Sequence, residues 1–148
     1  MSSYVQTYYH IVYSTKNRIP ALVADQRPEL FRYMWGILKN KKSHLYRLNG
    51  TEDHLHMLTS LHPTVALADL IRDMKTSSAA WIKKEKIFPD FPGWQVGYGG
   101  FTKSHADKDK VTHYIMRQEE HHRKVSFIDE FKQLLAEEGI EFDERFLK

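Results

Sequence analysis

Several features are missing from this 148-residue sequence, and each absence narrows the possible functions. The chain contains no cysteine, which excludes disulfides and thiolate metal sites. No stretch approaches the ~20 apolar residues that a membrane-spanning helix needs. The N-terminus lacks the basic and then apolar segments of a signal peptide, and no Walker-type phosphate-binding loop is present. We therefore expect a cytoplasmic protein that uses neither a membrane nor a nucleotide cofactor.

Charge is distributed unevenly along the chain. Lysine and arginine outnumber aspartate and glutamate by 22 to 19, which gives a net charge of +3. The segment from Asp129 to the end carries seven acidic and three basic residues (−4), so the preceding 128 residues carry +7. A basic body favours a polyanionic partner such as nucleic acid. The alternative is an unevenly charged, solvated surface.

Hydrophobic periodicity predicts a single α+β domain over residues 1–148. Alternating residues predict strands at 4–14, 44–49, 54–61 and 94–98, with turn residues at 49–53 joining the second and third into a hairpin. Periods near 3.6 residues predict helices that begin near 25, 65, 107 and 127, the third running to about 122. This order is typical of a ferredoxin-like antiparallel sheet with helices on one face. Residues from about 124 to 148 form a C-terminal helical appendage.

The first candidate functional motif is His54-Leu55-His56, at the start of the third predicted strand. Side chains at i and i+2 of a strand point to the same face, with Cα atoms roughly 6.5 Å apart. Two imidazoles on one face can bind the same divalent cation. The alternative is a pair of ordinary histidines at a strand edge.

The second candidate motif is the pair Tyr114 and Gln118 in the third predicted helix. A spacing of four residues places both side chains on one helix face. Because a catalytic metal usually has three protein ligands, Gln118 is a candidate for the third. The alternative is that Tyr114 is a core aromatic flanked by Val111 and Ile115.

Five segments of the sequence resemble single-tyrosine HUH transposases of prokaryotic insertion sequences and their REP-associated relatives. The segments are residues 9–16, 53–58, 94–101, 111–122 and 127–135, and they occur in the order of that family. The resemblance implies a ferredoxin-like fold with a C-terminal catalytic helix. It implies that His54, His56 and Gln118 bind the metal and that Tyr114 is the nucleophile. The implied partners are DNA hairpins at element ends and a second subunit that can exchange the catalytic helix in a homodimer.

The implied reaction is transposition by cleavage and rejoining of single-stranded DNA. A divalent metal, Mg²⁺ or Mn²⁺, would polarise a phosphate oxygen while Tyr114 forms a 5′-phosphotyrosine intermediate. The sequence does not identify the acceptor of the tyrosine proton, because His113 points roughly 100° away around the helix. The histidines at 121 and 122 are interpreted as complements to a helix dipole rather than as metal ligands.

DNA contacts are predicted at basic residues along the body of the chain. The candidates are Arg18, Lys39, Lys41, Lys42, Lys75, Lys83, Lys84, Lys86 and Lys103. Three other functions remain open: a domesticated relative acting on chromosomal repeated palindromes, a non-enzymatic ferredoxin-like nucleic-acid-binding module, and a metal hydrolase that uses water instead of Tyr114.

Overall fold

A computed structural model describes residues 2–147, so Met1 and Lys148 of the predicted domain lie outside the described residues. Within these described residues, four strands and five α-helices form the fold. In chain order they are β1 (Tyr8–Ser14), α1 (Arg27–Asn40), β2 (His44–Gly50), β3 (His54–Ser60), α2 (Leu67–Glu85), β4 (Gly99–Lys103), α3 (Lys108–Met116), α4 (Gln118–His121) and α5 (Phe127–Glu137). No helix in the described residues is both long and apolar enough to cross a membrane.

The sheet has the strand order β2-β3-β1-β4, and every neighbouring pair is antiparallel. This order, with α1 and α2 as the two connections, is the split βαβ arrangement and confirms the predicted α+β, ferredoxin-like fold. In the pairing of β1 with β3, Val12 lies opposite His56 and Ser14 opposite His54. The two histidines of β3 therefore lie at the centre of the sheet and on one face.

The opposite face of the sheet is apolar and packs against α1 and α2. The strands contribute Ile11, Tyr13, Leu55 and Met57, all fully buried. The helices contribute Leu30, Met34, Leu38, Leu70, Ile71 and Met74. This layer is the main hydrophobic core, and it corresponds to the alternation and helical periodicity in the sequence.

The C-terminal helices cover the face that carries the two histidines. Residues Phe127, Phe131, Leu134 and Leu135 of α5 pack with Val12 and Phe101. On the other side of the histidines, Val111 and Ile115 of α3 pack with Tyr8 and Leu58. The segment predicted as an appendage therefore forms the second layer on the sheet and encloses its polar centre.

The predicted strand at 94–98 is wrong. The fourth strand begins at Gly99, and Trp94 makes only an isolated bridge with Thr15. The left-handed φ of Gly97 (89°) ends any extended run at this point. The buried Trp94 ring packs against Tyr13 and donates a hydrogen bond to Ser78 Oγ at 2.9 Å. An apolar residue at position 94 therefore contributes to the core and does not indicate a strand.

The third helix is also shorter than predicted. It ends at Met116, and Arg117 (φ −97°, ψ 15°) separates it from the short α4, which ends at His121. The last helix agrees with the prediction, since Gly139 adopts a left-handed φ of 69° just after α5. The break at Arg117 falls between the two candidate site residues of this region, Tyr114 and Gln118.

Candidate active site

The turn before β3 fixes the position of the first histidine. Gly50 ends β2 and His54 begins β3, which confirms the predicted hairpin. A Cβ atom at Gly50 would lie 2.3 Å from the carbonyl oxygen of His54, so only glycine allows this close approach. Both His54 and His56 have no exposed surface.

Polar neighbours hold the Nδ1 side of each histidine ring. His54 Nδ1 lies 2.7 Å from Asp53 Oδ1 and 2.9 Å from Thr51 Oγ1. His56 Nδ1 lies 2.9 Å from Nε2 of His10 on β1. Metal-binding histidines usually have such a partner on the nitrogen that does not bind metal, because it fixes the ring orientation. Both Nε2 atoms consequently face the space beneath α3 and α5.

Tyr114 and Gln118 reach this same space from above, despite the break in the helix. Gln118 is fully buried, and its Oε1 lies 3.0 Å from His54 Nε2. The Tyr114 hydroxyl donates a hydrogen bond to Oε2 of Glu130, and the Tyr114 ring lies 5.7 Å from that of His56. The structure thus brings all four predicted site residues together within a single chain.

The centre of the cluster is a residue that the sequence interpretation missed, Glu130 of α5. Its carboxylate is only 1% exposed. Oε1 lies 2.9 Å from Nε2 of both His56 and His122. Oε2 accepts hydrogen bonds from Tyr114 and, at 3.0 Å, from Gln118 Nε2. One carboxylate therefore links the candidate nucleophile to the candidate metal ligands.

The position of His122 corrects the sequence-based expectation that this residue complements a helix dipole. Its ring centroid lies 4.1 Å from that of His54, and its Nε2 contacts the buried Glu130 carboxylate.

The sequence contains one signal for Glu130. This residue lies on the apolar stripe of α5 beside Phe127, Phe131 and Leu134, where an acidic residue is unusual unless it has partners.

Burial and charge set the protonation states of the cluster. Burial alone would raise the pKa of the Glu130 carboxyl, but hydrogen bonds from His122 and His56 hold it well below its usual range. Burial, reinforced by the Glu130 charge, raises the pKa of the Tyr114 hydroxyl well above its usual value. Burial lowers the pKa of His56 to about 4, even though Glu130 acts in the opposite direction. At neutral pH the site thus combines a charged carboxylate, a protonated Tyr114 and a neutral His56.

The donor atoms fit a divalent metal. One ligand atom from each of His54, His56, His122 and Glu130 lies within 4.8 Å of the others. Gln118 Oε1 adds a neutral oxygen 3.0 Å from His54 Nε2. A mixed set of imidazole nitrogens and oxygens suits several first-row divalent ions, so the residues leave the identity of the metal open.

The predicted DNA-contact residues are scattered relative to this site. Lys39 and Lys83 lie on α1 and α2, in the layer on the opposite sheet face, and Lys41 is paired with Asp73 of α2. Lys75 donates to the carbonyl oxygen of Gln95 at 2.9 Å, and burial lowers its pKa to about 8. These lysines support the fold or face away from the cluster.

The remaining candidates have varied environments. Lys103 of β4 is paired with Glu138, while Lys42, Lys84 and Lys86 are exposed in the α1 and α2 layer. Arg18 lines a cavity of about 290 Å³ beside Phe127. Only Arg18 and Lys103 therefore lie on the side of the sheet that α5 covers, and DNA contact by any of the predicted residues stays a prediction.

Comparison with known proteins bears on the fold and on the family of this chain. No curated protein matches the chain at a significant level. Among solved structures, a Deinococcus radiodurans R1 protein that carries a transposase assignment is 23% identical, with a TM-score of 0.63 over 80% of this chain and 95% of that one. A REP-associated tyrosine transposase bound to a REP hairpin is 15% identical, with a TM-score of 0.63 over 84% and 76% of the two chains. These two likenesses support the fold.

The family assignment comes from the sequence itself. Residues 3–118 match the family described as IS200-like transposases, a segment that begins before β1 and ends at Gln118. It includes His54, His56, Tyr114 and Gln118, whereas His122 and Glu130 lie beyond it. The chain therefore belongs to the IS200-like transposase family.

Proposed function

We propose that this chain cleaves and rejoins single-stranded DNA, with Tyr114 as the nucleophile in a metal-dependent transesterification. The observation that carries the proposal is the junction at Glu130, where the Tyr114 hydroxyl meets the buried His54, His56 and Gln118 side chains. Membership in a transposase family supports DNA as the substrate. A purely structural core would gain little from burying a carboxylate among three histidines, because desolvating charged groups is costly.

The metal-binding residues in this proposal are His54, His56 and Gln118, with Glu130 and His122 as additional donors. Bound there, Mg²⁺ or Mn²⁺ would supply Lewis-acid polarisation of the scissile phosphate. The neutral state of His56 supports this role, since a protonated imidazole cannot bind metal. Asp53, Thr51 and His10 orient the two imidazoles from behind.

Tyr114 would carry out the covalent step. Its Oη forms a bond to phosphorus while the bond from phosphorus to the 3′ oxygen breaks, which leaves a 5′-phosphotyrosine and a free 3′-hydroxyl. The phosphoester is conserved, so attack by a 3′-hydroxyl on the phosphotyrosine rejoins the strand without a nucleotide cofactor. The raised pKa of Tyr114 means that its proton needs an acceptor, and Glu130 Oε2 already accepts the hydrogen bond from that hydroxyl.

We further propose a folded single strand with a hairpin as the substrate. This extension comes from the REP-associated relative, whose structure holds a REP hairpin. A chromosomal palindrome and a mobile element end would both fit, because the site residues would be the same. A homodimer remains part of the proposal, but exchange of the catalytic helix is unnecessary because Tyr114 and His54 meet within one chain.

The experiment is to trap a covalent adduct between the protein and a labelled hairpin-bearing single strand. We expect an adduct with Mn²⁺ or Mg²⁺ that is absent after chelation, and none with Tyr114→Phe, which should still bind the DNA. Tyr33→Phe is the matched control, since Tyr33 stacks on Trp81 in the opposite layer and should leave the adduct unchanged.

Each rival function predicts a different outcome of this trapping experiment. Metal-dependent cleavage without any adduct would identify a hydrolase that uses water. Binding without cleavage would indicate a nucleic-acid-binding module. Either result would overturn the proposed function.

A further inference from the structure

A groove with a volume of about 560 Å³ runs along the outer face of α3 and α4, directly beside Tyr114. Its lining residues come from α3, α4 and the turn that follows α4, and most of them are exposed. They are Lys110, His113, Tyr114, Arg117, Glu120, His121, Lys124 and Val125. The groove is thus an accessible surface directly beside the candidate nucleophile, and neither of its lysines is among the DNA contacts expected from the sequence.

The groove is electropositive. Three cations, Lys110, Arg117 and Lys124, line it, against the single carboxylate of Glu120. All three are exposed, and in the part of the chain that the structure describes none of them forms an ion pair. By contrast, Lys41 and Lys103 each have a carboxylate partner. Cations without partners that converge beside a nucleophile are suited to phosphate groups.

Aromatic rings supply the second property that a single nucleic-acid strand requires. His113, Tyr114 and His121 line the same groove, and the rings of Tyr114 and His121 lie 5.7 Å apart. Unpaired bases stack on such rings without strong sequence preference. A duplex has no free base faces, so cations interleaved with rings favour a single strand.

The cavity on the other side of Tyr114 has a different balance of charge. A smaller cavity of about 200 Å³ is lined by His10, Lys103, Asp107, Lys110, Tyr114 and Glu137, among others. Its two lysines are balanced by two carboxylates, and Lys103 is already paired with Glu138. Lys110 and Tyr114 belong to both cavities, so the nucleophile lies at the boundary between a basic groove and a neutral one.

From this asymmetry we propose that the basic groove binds the sugar–phosphate backbone of the single-stranded DNA next to the scissile phosphate, with Lys110, Arg117 and Lys124 as its phosphate contacts. The inference rests on the proposed function and deepens it, because it names the path of the strand past Tyr114.

The test compares two triple variants of the full chain, one on each layer of the protein. The groove variant is Lys110→Gln, Arg117→Gln and Lys124→Gln. The control, Lys39→Gln, Lys83→Gln and Lys84→Gln, removes the same charge from exposed positions of α1 and α2, where the sequence predicts DNA contacts but the proposal expects none. The probe is an unstructured oligothymidylate, whose affinity is measured over a series of salt concentrations with a metal chelator present.

Counterion release gives the expected size of the effect. Each phosphate contact to a single strand contributes roughly −0.7 to the slope of log affinity against log salt. Loss of three contacts should therefore make the slope shallower by about 2 in the groove variant. The control should retain the wild-type slope. Equal slopes for the two variants, or a change in the control alone, would overturn the proposal.

Two further measurements separate a local structural defect and a failed proposed function from loss of the groove contacts. Because Arg117 lies at the break between α3 and α4, the double variant Lys110→Gln and Lys124→Gln is measured alongside, and its change in slope should be about two thirds of that of the triple variant. Wild-type adduct formation reports separately on the proposed function. If the wild type forms the adduct normally but the groove variant keeps the wild-type slope, the proposed groove is wrong and the proposed function stands. If the wild type forms no adduct, the proposed function itself is wrong.

Discussion

The two faces of the sheet are built from the same strands but have opposite chemistry. One face carries Leu55 and Met57 and packs against the apolar sides of α1 and α2. The other carries His54 and His56 and is covered by α3, α4 and α5 around a buried carboxylate. Strand alternation alone separates these sets, so adjacent residues of β3 serve different purposes.

The comparison indicates how stability and reactivity are divided in this protein. The apolar face buries side chains that need no partners, whereas each buried polar group on the other face depends on a neighbour to offset its desolvation. The free-energy cost of burying side chains is therefore higher on the polar face. The C-terminal helix α5 covers that face and shields it from solvent. Variants at neighbouring positions of β3 should consequently produce different kinds of defect.

The largest effect is expected for His54→Ala. Removing its Nε2 takes away a proposed metal ligand, and a Lewis-acid metal contributes several kcal/mol to the transition state, so cleavage should fall by roughly a hundred-fold or more. The rate of strand cleavage at saturating metal measures this. His62→Ala is the control, since His62 lies after β3 and, among the described residues, its ring hydrogen-bonds to Thr64 of the same turn and to no site residue. Undiminished cleavage by His54→Ala would remove it from the ligand set.

For Leu55→Ala, at the residue that follows His54 in β3, we expect a loss of folding stability instead of a loss of cleavage. Leu55 is fully buried against the α1 and α2 layer, and such truncations cost about 2–5 kcal/mol of unfolding free energy. Urea denaturation measures that loss. Below the unfolding transition the variant should bind metal as the wild type does. A variant of normal stability with impaired metal binding would contradict the division between the faces.

The pH dependence of stability should also distinguish the two faces. The ordinary histidine pKa is 6.5, whereas that of folded His56 is about 4. As pH falls below 6.5 the unfolded chain takes up a proton that the folded chain refuses, so stability should decrease by about 3 kcal/mol down to pH 4. The lowered pKa of His10 acts in the same direction.

Urea denaturation of the metal-free protein across that pH range measures the effect. The variant His56→Gln should show a flatter decline, while Leu55→Ala should lower the whole curve without changing its shape. A decline of equal steepness in His56→Gln and the wild type would show that other groups cause it.

The smallest of these effects is expected for Asp53→Ala. Its Oδ1 contacts His54 Nδ1 at 2.7 Å on the side away from the site, and loss of such support typically weakens metal binding about 10–100-fold. Calorimetric titration with Mn²⁺ measures the affinity. Asp73→Ala is the control, because Asp73 pairs with Lys41 in the opposite layer. Equal affinities in the two variants would argue against a supporting role for Asp53.

Local patterns in the sequence were sufficient to predict most of the fold. Alternation along β1 and β3, the hairpin glycine at 50 and the stop at Gly139 all depend on neighbouring residues. The structure follows these patterns, except that β1 begins at Tyr8 and not at residue 4. The prediction of a strand at 94–98 failed because the apolar residue Trp94 is required for tertiary packing rather than for a strand. Its ring packs against Tyr13 and donates a hydrogen bond to Ser78. Periodicity cannot separate a strand residue from a core residue in a loop.

The candidate site was predictable only in part, for a similar reason. His54 and His56 are two residues apart, and Tyr114 and Gln118 are four apart, so local geometry groups each pair. Glu130 approaches from a different element, 74 residues after His56. Its contribution depends on how α5 packs over the sheet, and no local spacing contains that information. An acidic residue on the apolar stripe of α5 was the one available clue.

The central claim is that Tyr114 becomes covalently linked to DNA, and peptide mapping of the trapped adduct tests it most directly. After digestion of protein and DNA, mass spectrometry should find a nucleotide 5′-phosphate on the peptide that contains Tyr114, and only when divalent metal was present. A nucleotide on a peptide carrying another tyrosine, such as Tyr8 or Tyr98, would contradict the account, as would cleaved DNA with no modified peptide.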